Sequence, residues 1–271
     1  MRLAEQIEGD WEAALAALAW QYDCGVDEPV GDVALDRYDL PEPVRPAAPP
    51  APVQTDRAKI TPPVQVPDAP KIDPVAEARH LAALANSLDA LRDCLEQFDH
   101  CDLKKGARNT VFADGNPKAR VLVLGEAPGR DEDMEGRPFV GRAGQLLDQM
   151  FAAIGLSRNS PDAETALYIT NVMPWRPPGN RDPEDSEIAM MRPFVERHIS
   201  LVGPEVIVVM GNTPLLALTG HRGIMRARGR WAEAHGRPLF PMTHPAYLLR
   251  NPLAKREAWA DLLTLQSRLR G

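Results

Sequence analysis

Gly125-Glu126-Ala127-Pro128-Gly129 follows directly on the apolar run Val121 to Leu124 and leads into Arg137-Pro138-Phe139-Val140-Gly141-Arg142-Ala143-Gly144. A buried strand that ends in a carboxylate and a glycine-containing loop puts polar chemistry at the edge where open α/β sheets hold their ligands. The rest of the chain repeats the strand signal. Residues 120–124, 167–170 and 206–210 are short apolar runs rich in β-branched side chains, and 239–243 is a weaker fourth. Helical patterns cover 143–154, 185–201, 213–218 and 252–269. Strands alternating with helices predict an α/β fold: a three-layer α/β/α sandwich over residues 76–271, with a central parallel sheet of about four strands.

In a parallel sheet the ends of these strands gather along one edge. Gly125-Glu126 follows the first strand, Asn171 the second, Gly211-Asn212 the third and His244-Pro245 the fourth. A carboxylate, an amide and an imidazole are thus expected to converge. Each also has a structural reading. Asn212 before Thr213-Pro214 reads as a helix start and is left out of the site. Asn171 reads either as a turn residue or as a ligand of whatever the loop 176–181 covers. A lone His is most often structural, but His244 shares its edge with Glu126 and Asn171. Phe139 lies in a Gly- and Arg-rich segment, where an exposed aromatic platform suits it better than core packing. This set fits a flipped nucleobase, which needs a stacking surface, hydrogen-bond partners for its edge and charge stabilisation.

The net charge of -7 is carried by the N-terminal quarter, where 14 acidic residues face 6 basic ones through Val75 and leave the remainder near +1. Arg222, Arg226, Arg228 and Arg230 cluster within nine residues, a spacing that meets phosphates or simply solvates a loop. No apolar stretch approaches the roughly 18 residues of a membrane span, and the first ten residues lack the layout of a secretory signal. A cytoplasmic protein without membrane contact is expected. Cys24, Cys94 and Cys101 are too few and scattered for a disulfide framework. With 84–101 read as largely helical, Cys94 and Cys101 lie about 10 Å apart along its axis.

The N-terminal extension, residues 1–40, holds an amphipathic helix: Asp10 caps it, and Trp11, Ala14, Leu15, Leu18 and Tyr22 recur on one face. It docks on its own domain or stays mobile, or else Trp11 and its neighbours recruit a protein partner. Residues 41–75 form a Pro-rich linker, with eleven prolines between Pro41 and Pro74.

Four segments, in order, resemble the motifs of the uracil-DNA glycosylase superfamily, most closely its family 4 branch. They are Gly125 to Gly129; Gly136 to Gly144; Thr170-Asn171 with Arg176-Pro177-Pro178-Gly179-Asn180-Arg181; and His244-Pro245-Ala246-Tyr247-Leu248-Leu249-Arg250. The resemblance covers about residues 95–270 and implies hydrolysis of the N-glycosidic bond of deoxyuridine in DNA, leaving an abasic site, by a monomeric repair enzyme acting on uracil-containing DNA. It implies that Gly125, Glu126 and Ala127 line the uracil pocket, that Phe139 stacks on the base and that Asn171 reads its edge. Glu126 and His244 are then the catalytic pair, on the sugar cation or water and on the uracil anion. Arg137, Arg142, Asn180, Arg181, Leu249 and Arg250 are expected on DNA, with 247–250 as an apolar wedge beside an arginine or, alternatively, only the start of the C-terminal helix.

The departure from that family lies in the cysteines. Family 4 enzymes usually carry a four-cysteine [4Fe-4S] cluster, and the matching positions here hold Phe98, Cys101, Trp175 and Met191. One thiolate in place of four leads to the expectation of no cofactor and no metal. Two other functions stand beside the enzymatic one. A weakly active or non-catalytic protein would bind uracil or abasic DNA and recruit partners through its N-terminal helix. A nucleotide-binding protein fails on the missing Gly-x-x-x-x-Gly-Lys-Ser/Thr motif and on the acidic Asp131, Glu132, Asp133 and Glu135.

Overall fold

The computed structural model describes residues 73–271, together with Trp11, Leu15, Ala16, Leu18 and Ala19. Those five are helical, and Trp11, Leu15 and Leu18 have exposed side chains. The Asp10 cap, Ala14 and Tyr22 of the expected stripe, Cys24 and the prolines before residue 73 lie outside the described residues.

Six strands make one sheet in the order β1-β3-β2-β4-β6-β5. They are β1 (Ala113–Gly115), β2 (Val121–Gly125), β3 (Leu167–Asn171), β4 (Val206–Met210), β5 (Ala232–Ala234) and β6 (Arg237–Met242). The four strands expected from sequence are the inner four, and all run parallel. Val123 pairs with Ile169 on one side and Val208 on the other, and Val208 pairs with Phe240. The two strands that sequence reasoning missed are three-residue edges, each antiparallel to its neighbour. An edge strand this short leaves few unpaired backbone groups for another chain to template on.

Helices cover both faces, which is why the inner strands read as unbroken apolar runs. Successive residues alternate between two cores. Leu122, Leu124, Ile207, Val209 and Leu239 pack towards α1 (Pro74–Leu84), α2 (Leu88–Gln97), α6 (Asp185–Val202) and α7 (Asn212–Thr219). Val121, Val123, Val206, Val208 and Phe240 pack towards α5 (Arg142–Ala152), α9 (Pro245–Arg250) and α10 (Lys255–Arg270). Each fully buried aliphatic side chain stabilises the fold by about 1.5–3 kcal/mol relative to exposure. The remaining helices are single turns or little more: α3 (Leu103–Gly106), α4 (Arg130–Glu135) and α8 (Ile224–Ala227).

Two helix expectations are corrected. Residues 84–101 are not one helix. The first ends at Leu84, and α2 starts afresh because the Ser87 side chain accepts from Ala90 N–H, an N-cap that breaks the run. The last helix begins at Lys255, since residues Pro252–Ala254 form a 3-10 turn behind Pro252. Cys94 and Cys101 are both free thiols. Among the described residues no helix is long and apolar enough to cross a membrane.

Candidate active site

The carboxyl ends of β2, β3, β4 and β6 open into a cavity of about 630 Å³. Glu126, Ala127, Phe139, Asn171, Thr213 and His244 all line it. The carboxylate, amide and imidazole expected at one edge are therefore brought together. Asn180, Arg181 and Arg250 reach the same cavity, whereas Arg137, Arg142 and Leu249 are not among its lining residues. Arg142 is exposed at the first turn of α5, and Leu249 is half-buried on α9.

Gly125 closes β2 where two side chains crowd the backbone. A Cβ there would overlap Asn171 Oδ1 and lie 2.6 Å from Phe139 Cζ, so only glycine lets the amide and the ring share the strand end. Asn171, at the last position of β3, is 7% exposed, and its Oδ1 is, among the described residues, the sole buried side-chain nitrogen or oxygen without a hydrogen-bond partner. An orphaned acceptor costs about 1–3 kcal/mol unless a ligand supplies the donor.

Phe139 is held by its surroundings rather than by its own preference. Its φ of 54° lies in the left-handed region, uncommon for a bulky residue. The buried guanidinium of Arg158 donates to the carbonyls of Pro138 at 2.8 Å and Phe139 at 2.9 Å, and is itself paired with Asp148 and Asp114. Glu132 ties the two loops together by accepting from Gly129, Val140 and Gly141 N–H. The expectation of an exposed platform is corrected: Phe139 is 6% exposed and packs in the core with Leu147 and Met242, because the Arg158 and Glu132 contacts turn its loop inward, and only one part of its ring borders the cavity, where it stacks on His244 with ring centroids 5.5 Å apart.

His244 caps the N-terminus of α9, and its Nδ1 accepts from Ala246 N–H at 3.1 Å. That bond leaves the proton of the neutral ring on Nε2. Burial, with the nearby Arg250 guanidinium adding to it, lowers its pKa to about 4, so the ring is neutral at pH 7. Glu126 has its pKa raised by burial, an effect that a hydrogen bond from Thr213 opposes. Thr213 Oγ1 donates to Glu126 Oε2 at 2.6 Å. This occupies one carboxylate oxygen and leaves Oε1 for the cavity.

Thr213, Arg158 and Glu132 were not singled out from sequence. Thr213 had the one available signal, since it immediately follows a strand end already placed at the site. Asn212 opens α7, consistent with a helix start, but its side chain turns away from that helix. Its Oδ1 accepts from Gly223 and Ile224 N–H and so fixes the entry to α8.

Of the expected DNA-facing residues, Arg181 is committed to Glu187 through both guanidinium nitrogens, and Arg137 to Glu135 with Asp114 3.7 Å away. Asn180 accepts from Arg176 Nε. Arg142 and Arg250 make no ion pair among the described residues.

The chain matches the family model described as the uracil DNA glycosylase superfamily over residues 112–263. It is 38% identical over 177 residues to a type-4 uracil-DNA glycosylase of Sulfurisphaera tokodaii, spanning 62% of this chain and 78% of that one. It is likewise 38% identical over 186 residues to the type-4 uracil-DNA glycosylase of Archaeoglobus fulgidus, spanning 65% and 89%. A type-4 uracil-DNA glycosylase of Saccharolobus solfataricus is 35% identical over 194 residues, spanning 68% and 87%.

These similarities correct the expectation of no cofactor, because type-4 enzymes are the family that carries an iron–sulfur cluster and the kinship argues for one. The residues at the four matching positions are a separate matter. Phe98, Cys101, Trp175 and Met191 are all fully or almost fully buried in one apolar core, and burial pushes the Cys101 thiol up. A single protonated thiol among apolar side chains does not fit a set of four thiolates.

Proposed function

The chain belongs to the uracil-DNA glycosylase superfamily, and from that membership we propose that it removes uracil from DNA by hydrolysing the bond between N1 of the base and C1′ of deoxyribose. It is a DNA-repair hydrolase, and its product is free uracil and an abasic site, the opening step of base excision repair.

The observation that carries the reading is the orphaned Asn171 Oδ1. Uracil presents N3–H beside O4, so the Asn171 amide meets it with Oδ1 accepting from N3–H and Nδ2 donating to O4. Cytosine presents an acceptor and a donor in the reverse order and leaves both groups mismatched. The base reaches Asn171 only when flipped out of the stack, with Phe139 against its face.

As the C1′–N1 bond breaks, its electron pair leaves with uracil and the sugar becomes cationic. Neutral His244 donates from Nε2 to an oxygen of the uracil anion. Glu126, held through Oε2 by Thr213, sets Oε1 beside the sugar cation and orients the water whose oxygen bonds to C1′. The proton of that water passes to the Glu126 carboxylate and on to solvent. Arg137, Arg142, Asn180, Arg181, Leu249 and Arg250 belong to the DNA-facing surface in this reading. The parts that go with it are a monomer in the cytoplasm, a catalytic domain of residues 76–271, a linker of 41–75 and an N-terminal extension of 1–40 that offers Trp11, Leu15 and Leu18 to a protein partner.

The test is an end-labelled oligonucleotide with one deoxyuridine, incubated with the protein and then with alkali. Cleavage confined to deoxyuridine, absent from a thymidine control and reduced in Glu126→Ala and His244→Ala, is the expected result. Intact DNA with measurable uracil-DNA binding would replace the enzyme by a binding protein.

A further inference from the structure

Leu248, central to the expected apolar wedge, is 1% exposed and belongs to the core, so it does not reach DNA. An apolar side chain that does line the active-site cavity is in the open. Met225, 51% exposed, lines it together with Tyr247 and Arg250. It projects from α8, a single turn braced on three sides. Asn212 fixes Gly223 and Ile224 from α7, the Ile224 side chain is buried, and Arg228 binds Asp261 at 2.7 Å and Glu257 at 3.2 Å on α10. The exposed methionine thus stands on a fixed base.

Its flanks suit a polyanion. Arg222 and Arg226 bracket it, and Arg226 makes no ion pair among the described residues, while Arg222 pairs with Asp185. The acidic side chains on the cavity wall are Glu126, Glu132 and Asp182. An apolar side chain between arginines, at the mouth of a pocket for a flipped base, matches the wedges that enter a base stack while cations meet the phosphates.

We propose that Met225 enters the stack of duplex DNA at the gap left by the flipped deoxyuridine, with Arg226 on a phosphate of the same strand. The inference rests on the glycosylase reading and adds a residue that distinguishes duplex from single strand. A single strand has no paired stack to hold open, so Met225 matters only for the duplex.

The experiment measures single-turnover uracil release from a single-stranded oligonucleotide and from its U·A duplex, for the parent, Met225→Ala, Met225→Leu and Leu253→Ala. Leu253 is 94% exposed but off the cavity wall, and so controls for loss of any exposed apolar group. Met225→Ala should release uracil from the duplex about tenfold more slowly, with single-strand release within about twofold of the parent. Met225→Leu should restore the duplex rate, and Leu253→Ala should leave the duplex-to-single-strand ratio unchanged. Equal losses on both substrates, no loss on either, or the same duplex defect in Leu253→Ala would overturn the assignment. Single-strand release by the parent reports on the glycosylase reading by itself; its absence together with absent duplex release would remove both.

Discussion

Replacing Asn171 by Ala should separate activity from stability. In the free protein Asn171 Oδ1 is buried without a partner, so its removal relieves a cost of about 1–3 kcal/mol that offsets the packing lost with the amide. Stability should therefore stay within about 1 kcal/mol of the parent, a change of roughly 2–4 °C in Tm for a domain of this size. In the complex the same change leaves uracil N3–H and O4 unpaired in a closed pocket. At about 1–3 kcal/mol each, the two lost hydrogen bonds amount to at least about 2 kcal/mol, so kcat/KM should fall at least about thirtyfold. Steady-state uracil release and a thermal melt on the same preparation read both quantities. An activity loss matched by a large fall in Tm would mean that Asn171 serves the fold, and unchanged activity with unchanged Tm would refute base reading by its amide.

Three other outcomes follow from the same pocket. Thr213→Val removes the donor that opposes the burial-driven rise of the Glu126 pKa, so the acid limb of the rate profile should move to higher pH and kcat/KM should drop about tenfold, while Thr213→Ser keeps both near parental. Gly125→Ala puts a Cβ onto Asn171 and Phe139, and uracil release should fall at least about a hundredfold, read in the same assay. His244 is neutral in the fold down to about pH 4 but protonates near 6.5 when unfolded, so the unfolded chain takes up protons in that window and stability falls with pH there. The parent should lose about 1–2 kcal/mol more than His244→Gln between pH 7 and 4.5 in urea titrations.

The inner sheet was legible because each of its strands is covered on both faces, which writes a continuous apolar run such as Val206 to Met210 into the chain. The edge strands β1 and β5 have no such signature: Ala113-Asp114-Gly115 and Ala232-Glu233-Ala234 pair on one side only, and their composition reads as loop. Glu126, Asn171 and His244 were legible for the same topological reason, since each stands at or just past a strand end. Arg158 was not, because its function is to hold two carbonyls 19 and 20 residues away, a contact that no local pattern encodes. Met225 was equally silent, as an exposed methionine in an arginine-rich loop acquires meaning only from the cavity it borders. The expectation of no cofactor rests on residue identities at four positions of this chain, set against a family that carries a cluster, and the similarity to type-4 enzymes speaks the other way.

The most direct test of the central claim is chromatographic identification of the base freed from three otherwise identical duplexes carrying uracil, cytosine or thymine at one position. The account predicts free uracil approaching one equivalent of the first duplex, and neither cytosine nor thymine from the others. Tight binding of the uracil duplex with no base released, or release of cytosine at a comparable rate, would contradict it.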